Sequence, residues 1–236
     1  MSESFIPAGA GSKALTGVGS TLVYHHDSRG IWMKISRIGI FIFPDVEELD
    51  FVGVYEVLGA ALRMLNQNQI AVDTAFTVDV LAAHDLVTCA NGLNVVPHRV
   101  GVAFDSYDML IVPGGKGVRA LMQNDTVLSR LRDFSADGLL CSVCTGALLL
   151  GAAGLLTGRR ATTHAGARDE LRQYCEVVTD TVVDEGNIIT AAGVTSSIAL
   201  GVFLLRKMLG NSIAEDVADR LEIPDSLRTV RGQNYP

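Results

Sequence analysis

Leu139-Leu140-Cys141-Ser142-Val143-Cys144-Thr145-Gly146-Ala147-Leu148-Leu149-Leu150 runs from a buried-strand pattern through a turn into a helix start. Leu139 to Val143 is a short apolar run with the length of a buried parallel strand. Gly146, Ala147 and the leucines that follow start a helix with no polar face. Cys144 falls where strand turns into helix. A side chain there stands above the sheet edge, with the first backbone N–H groups of the helix directed at it. A helix start also favours the thiolate and lowers the thiol pKa. The stretch alone leaves two readings open, a nucleophile or a small buried core cysteine.

Outward from this stretch, strands alternate with helices. Arg37 to Phe43 (RIGIFIF) reads as the first strand, and an acidic loop, Pro44 to Glu48, follows. Leu49 to Leu65 is helical: Val52, Val54, Val57, Leu58, Ala61 and Leu65 recur at helical spacing. Asp50 is placed at or near the N-cap of this helix, as a capping carboxylate or as an acid–base group at the carboxyl end of strand one. Ala75 to Ala82 is a strand. Leu86 to Cys89 and Leu93 to Val96 form a hairpin around Asn91-Gly92. Asp108 to Val112 is a strand that ends in Pro113-Gly114-Gly115-Lys116-Gly117. This is not a Walker motif. Its backbone could cradle phosphate, or approach a ligand closely and offer N–H groups as an oxyanion hole. Asp125 to Asp137 is an amphipathic surface helix. A short β segment, Ala161 to Thr163, ends at His164. Asp180 to Asp184 pairs with Asn187 to Ala191, and Thr195 to Leu209 and Ile213 to Leu221 are closing helices. The class is α/β with a mostly parallel central sheet flanked by helices. Asp50, Gly114, Gly115, Cys144, Thr145 and His164 then share one crevice at the strand ends. A nucleophile, a carboxylate and an N–H-rich loop in one crevice is the pattern of covalent catalysis, which favours a catalytic Cys144.

The 236-residue chain is 48% hydrophobic and carries a net charge of −7. An acidic chain has no nucleic-acid footprint. Cys141 and Cys144 make a C-x-x-C, but no second pair accompanies it and the five histidines form no ligand pattern with it. Gly138 to Gly158 and Asn187 to Leu205 are long enough to span a bilayer, yet Gly, Ser and Thr interrupt both. Both read as buried elements of a soluble core, not as membrane spans. The start lacks a basic segment followed by an apolar one, so a cytoplasmic protein is expected. Residues 1–34, rich in Gly and Ser, read as a disordered extension, residues 35–225 as a single domain and residues 226–236 as a tail.

IFPDVEELDFVG, IVPGGKGVRALM and SVCTGALLLGAAGLLTGRRATTH together resemble the ThiJ/PfpI superfamily, over about Ile38 to Leu209. The likeness is nearest to its isocyanide hydratase (isonitrile hydratase) branch. Asp50 stands where many members have Glu, and Thr145 follows the cysteine where the peptidases have His. The resemblance implies a class I glutamine amidotransferase-like, flavodoxin-like fold and a homodimer. It implies a small-molecule substrate and no metal or organic cofactor. It also implies Cys144 as nucleophile, Asp50 as acid–base group, and Gly114, Gly115 and Thr145 as N–H donors to developing charge. The Thr145 hydroxyl would bond the thiolate, and His164 would fall on the crevice histidine position as a structural or catalytic group. Two alternatives accompany it: a non-catalytic small-molecule or redox sensor, like the amidotransferase-like half of AraC-type regulators, or another cysteine amidase or glyoxalase. Val54 in place of Pro, Ala165 in place of Trp, and Ala191-Ala192-Gly193 in place of a more Gly-rich segment depart from the family pattern. Of the four cysteines, Cys144 is expected to be the most reactive.

Overall fold

The computed structural model describes residues 24–26, 32–67, 76–101 and 104–228. Two short strands, β1 (Tyr24–His26) and β2 (Trp32–Lys34), form an antiparallel ladder ahead of the domain. This ladder lies within the expected disordered extension, most of which is outside the described residues, as is the tail beyond Arg228. The domain itself runs β3 (Arg37–Phe41), α1 (Glu48–Asn66), β4 (Thr77–Ala82), then the hairpin β5 (Val87–Thr88) and β6 (Asn94–Val95), and the edge strand β7 (Arg99–Val100). It continues with β8 (Met109–Val112), α2 (Val118–Leu121), α3 (Asp125–Ser135), β9 (Leu139–Val143) and α4 (Gly146–Ala152). It closes with β10 (Arg160–Ala161), α5 (Arg168–Leu171), β11 (Glu176–Val177), β12 (Val182–Asp184), β13 (Ile188–Ala191), α6 (Ser196–Leu209), α7 (Asn211–Arg220) and α8 (Asp225–Arg228).

Seven strands form the central sheet in the order β12-β13-β9-β8-β3-β4-β7, parallel except for β12. Every residue of β8 and β9 is buried, which is why both read as unbroken apolar runs. The chain moves from β3 to β4 one way and from β8 to β9 to β13 the other. Right-handed crossovers therefore put α1 on one face and α2 to α5 on the opposite one. The order reverses around β3 and β8, so a crevice opens at their carboxyl ends.

On the first face α1 packs against α6 at close range. A Cβ at Gly53 would lie 2.2 Å from Ser197 Oγ, and one at Gly201 would lie 2.7 Å from Val57 Cβ. These two glycines let the helix backbones approach. The two membrane-length runs resolve accordingly. Gly138 to Gly158 holds β9, α4 and a turn, and Asn187 to Leu205 holds β13 and most of α6. Among the described residues no helix is long and apolar enough to cross a membrane.

The structure sharpens three local features. Asp50 is not the N-cap of α1. The helix begins at Glu48 with Glu47 as cap residue, so Asp50 sits inside the first turn. The segment before His164 does not extend the central sheet. Only Arg160 and Ala161 are strand, and they pair with β11 in a separate two-stranded sheet. The helix after Cys144 is also short, seven residues, because Gly154 turns the chain at positive φ (78°) soon after its end.

Candidate active site

Cys144 is held in a strained turn. Its φ is 56°, a left-handed value that a non-glycine residue adopts only where its surroundings enforce it. The enforcing bonds are visible. Cys144 N–H donates to the carbonyls of Ala191 (3.0 Å) and Ala192 (2.8 Å), at the end of β13. Thr163 Oγ1 donates to the Cys144 carbonyl at 2.7 Å. The segment Ala191-Ala192-Gly193, which departs from the family pattern, thus anchors the elbow through backbone that any residue supplies.

Asp50 meets this elbow from α1. It is fully buried at 0% exposure, and its Oδ2 accepts a 2.8 Å hydrogen bond from Gly114 N–H. Its Oδ1 has no hydrogen-bond partner, which is costly for a buried carboxylate and favours the neutral acid. Burial is the main cause that pushes Asp50 up to about 7. The Gly114 N–H and the Cys144 thiol oppose the rise, and the charge of Glu47 adds to it. The Cys144 thiol is pushed up as well, first by burial and then by the Asp50 charge, against the pull of Thr145 N–H and its hydroxyl. The expectation of a thiol pKa lowered by the helix start is therefore overturned. A short helix cannot offset burial beside a carboxylate. The resting pair keeps its proton on sulfur, and Asp50 is the group that titrates near neutrality.

The glycine loop serves differently from a free oxyanion hole. Gly114 N–H is taken by Asp50, and Gly115 N–H donates to Thr145 Oγ1 at 3.0 Å. Thr145 Oγ1 in turn lies 3.3 Å from the Gly115 carbonyl. The loop is stitched to the β3–α1 loop by a Val46–Gly115 bridge and by Glu47 N–H to Gly114 O at 3.0 Å. Gly115 holds φ at 120°, and a Cβ there would lie 2.3 Å from the Asp45 carbonyl. Gly114 and Gly115 thus position Asp50 and Thr145. The backbone donor that faces the sulfur is Thr145 N–H.

A cavity of about 270 Å³ opens over the thiol. Of the six residues expected to share a crevice, Gly115, Cys144, Thr145 and His164 line it, and Asp50 and Gly114 do not. Asp50 is buried beside the thiol, outside the cavity lining. His164 is exposed, and its Nδ1 accepts from Gly166 N–H at 3.1 Å, which caps a short 3₁₀ turn. Its proton then sits on Nε2 when the ring is neutral. The remaining wall was not legible as a site: Glu47, Ala90, Asn91, Lys116, Arg119 and Val194. Asn91 reads in sequence as a turn residue and Glu47 as part of an acidic loop. The nearest signal is that Lys116 belongs to the glycine loop. Cys89 and Cys141 are buried away from the cavity, and Cys175 is half-buried with its thiol toward the Leu171 carbonyl.

The DJ-1/PfpI family model matches residues 36–207. An isonitrile hydratase of Pseudomonas putida is 36% identical over 188 residues, 79% of this chain and 78% of the relative. Drosophila melanogaster DJ-1alpha is 29% identical over 76% of this chain and 80% of the relative. The crystal structure of a ThiJ/PfpI family protein from Pseudomonas syringae superposes with a TM-score of 0.69 at 25% identity, covering 95% of this chain and 85% of that one.

Proposed function

Since the chain belongs to the DJ-1/PfpI family, we propose that it is a cysteine-dependent isocyanide hydratase, converting an isocyanide and water to an N-substituted formamide. The observation that carries this reading is the pairing of a strained, cavity-facing Cys144 with a buried Asp50 whose pKa is raised to about 7. The 36% identity to an isonitrile hydratase supports it.

The chemistry follows from where the protons sit. The terminal carbon of an isocyanide accepts a soft sulfur nucleophile. Ionised Asp50 takes the thiol proton as Cys144 Sγ bonds to that carbon, and then returns the proton to the same carbon. The product is a thioimidate, R–N=CH–S–Cys144. Water adds to its carbon as Asp50 accepts a proton. The second water proton passes to nitrogen as the carbonyl forms and the C–S bond breaks, and the proton on Asp50 returns to sulfur. The sum is R–NC plus H₂O giving R–NH–CHO. Thr145 N–H faces the sulfur and steadies negative charge there as it leaves. Incubating purified protein with cyclohexyl isocyanide should yield N-cyclohexylformamide. Absence of formamide across alkyl and aryl isocyanides would reject the reading.

We also propose a cytoplasmic homodimer. Leu86, Leu93, Val96 and Val100 are each about half or more exposed on the hairpin side of the sheet, apolar surface that a second copy would cover. Sedimentation should give twice the chain mass at micromolar concentration, and a lone monomer would contradict this.

A further inference from the structure

The tip of the β5–β6 hairpin forms part of the cavity wall through Ala90 and Asn91. The base of the hairpin is secured by the core, since Val87 and Cys89 are buried. It is also secured by Asp45 N–H to Thr88 O (3.0 Å) and Ala90 N–H to Val46 O (2.9 Å). The tip itself, Asn91-Gly92-Leu93, is exposed, and Gly92 turns at a φ of 93°. Among the described residues, the side chain that holds it from outside the hairpin is that of Glu48. Glu48, in the first turn of α1, accepts from Asn91 N–H at 2.7 Å through Oε1 and from Asn91 Nδ2 at 2.7 Å through Oε2. Both bonds are short and charge-assisted, and together they fix the rotation of the tip as one bond would not. Glu48 does not line the cavity.

We propose that Asn91 is the wall that limits substrate size over Cys144, and that Glu48 is its positioning residue. Cys144 is taken here as the nucleophile of the proposed hydratase. At about 270 Å³ the cavity is smaller than most small-molecule sites, so the position of one wall decides how bulky a substituent enters. A substrate with a compact substituent fits under the tip, and a branched or aryl-extended one requires it to swing out.

The test reads access to Cys144 without needing turnover. Cys144 is alkylated with N-methylmaleimide and with a biphenyl-substituted maleimide, and modification at that residue is followed by peptide mass spectrometry. The ratio of bulky to small rates cancels any change in thiolate fraction, because both reagents draw on the same thiolate. Glu48→Ala, and Asn91→Asp, which sets carboxylate against carboxylate at nearly constant shape, should each raise that ratio roughly 10-fold, the scale of one charge-assisted bond lost. The double variant Glu48→Gln/Asn91→Asp restores an amide–carboxylate pair and should return the ratio toward the parent. An unchanged ratio in both single variants would overturn the proposal, as would a double variant as open as Asn91→Asp. Should Glu48→Ala fail to fold, the comparison of Asn91→Asp with the double variant decides alone. A protein that shows these ratios yet hydrates no isocyanide keeps the wall and loses the hydratase reading.

Discussion

Asp50→Asn should lower isocyanide turnover roughly 100- to 10,000-fold, the range that general acid–base help contributes. Its melting temperature should also gain on the parent's as pH rises from 5 to 8. Asn keeps an oxygen to accept from Gly114 N–H, the 2.8 Å bond that seats the side chain, so the site keeps its shape. It cannot take the thiol proton. The parent's acidic limb, with a midpoint about 7 set by Asp50, should vanish from the residual activity. The stability change follows by linkage. Burial raises the folded pKa of Asp50 from 3.8 to about 7. Between those values the folded state holds a proton that the unfolded chain has released, so stability falls as pH rises through this window. The cost is complete above pH 7 and absent below pH 4. At about 1.4 kcal/mol per pKa unit it amounts to at most about 4 kcal/mol. Asn does not carry it. An exposed capping carboxylate would give neither effect. Turnover by Asp50→Asn at the parent's rate, or melting curves that shift with pH in parallel, would remove Asp50 from the mechanism.

Gly114→Ala should cost nearly as much through geometry alone. A Cβ at Gly114 would lie 2.6 Å from both Thr145 N and Thr145 Oγ1 and 2.8 Å from Asp50 Oδ2. One of the three is backbone, and the other two are side-chain oxygens that accept from the loop's own N–H groups, so the loop must move as a unit. Overpacking of this kind destabilises by roughly 1–3 kcal/mol. A shift of about 1 Å in Asp50 and Thr145 relative to the sulfur can itself cost on the order of 100-fold in rate. The measurement is turnover alongside thermal melts. Full activity in Gly114→Ala would mean that this loop does not set the position of Asp50.

How much of this the sequence carried depends on the range of the interaction. The β9–Cys144–α4 stretch is legible because burial of every residue in β9 is written into consecutive letters. The convergence of Asp50, Gly115 and Cys144 follows from topology, since the loops after β3, β8 and β9 meet where the strand order reverses. What each group does there is not legible, because it is set by partners distant in the chain. Gly114 N–H serves Asp50, 64 residues away, and Gly115 N–H serves Thr145, 30 residues away. An oxyanion role assigned from a glycine pair alone misses this. The thiol pKa is not legible for the same reason: the helix start is local, but burial and the Asp50 charge are not. Asn91 is a turn residue by every local signal, and the partner that fixes it in the cavity wall, Glu48, lies 43 residues earlier in the chain.

The proposed reaction turns on a covalent bond between Cys144 and the isocyanide carbon. Rapid acid quench of the protein during turnover, followed by intact and peptide mass spectrometry, tests it most directly. A transient adduct on Cys144 should appear with the mass of one whole isocyanide, since both the thiol proton and the substrate are retained in the thioimidate. It should decay as formamide accumulates, and Cys144→Ala should form neither adduct nor product. Formamide production by Cys144→Ala, or turnover by the parent with the label on another cysteine, would contradict it.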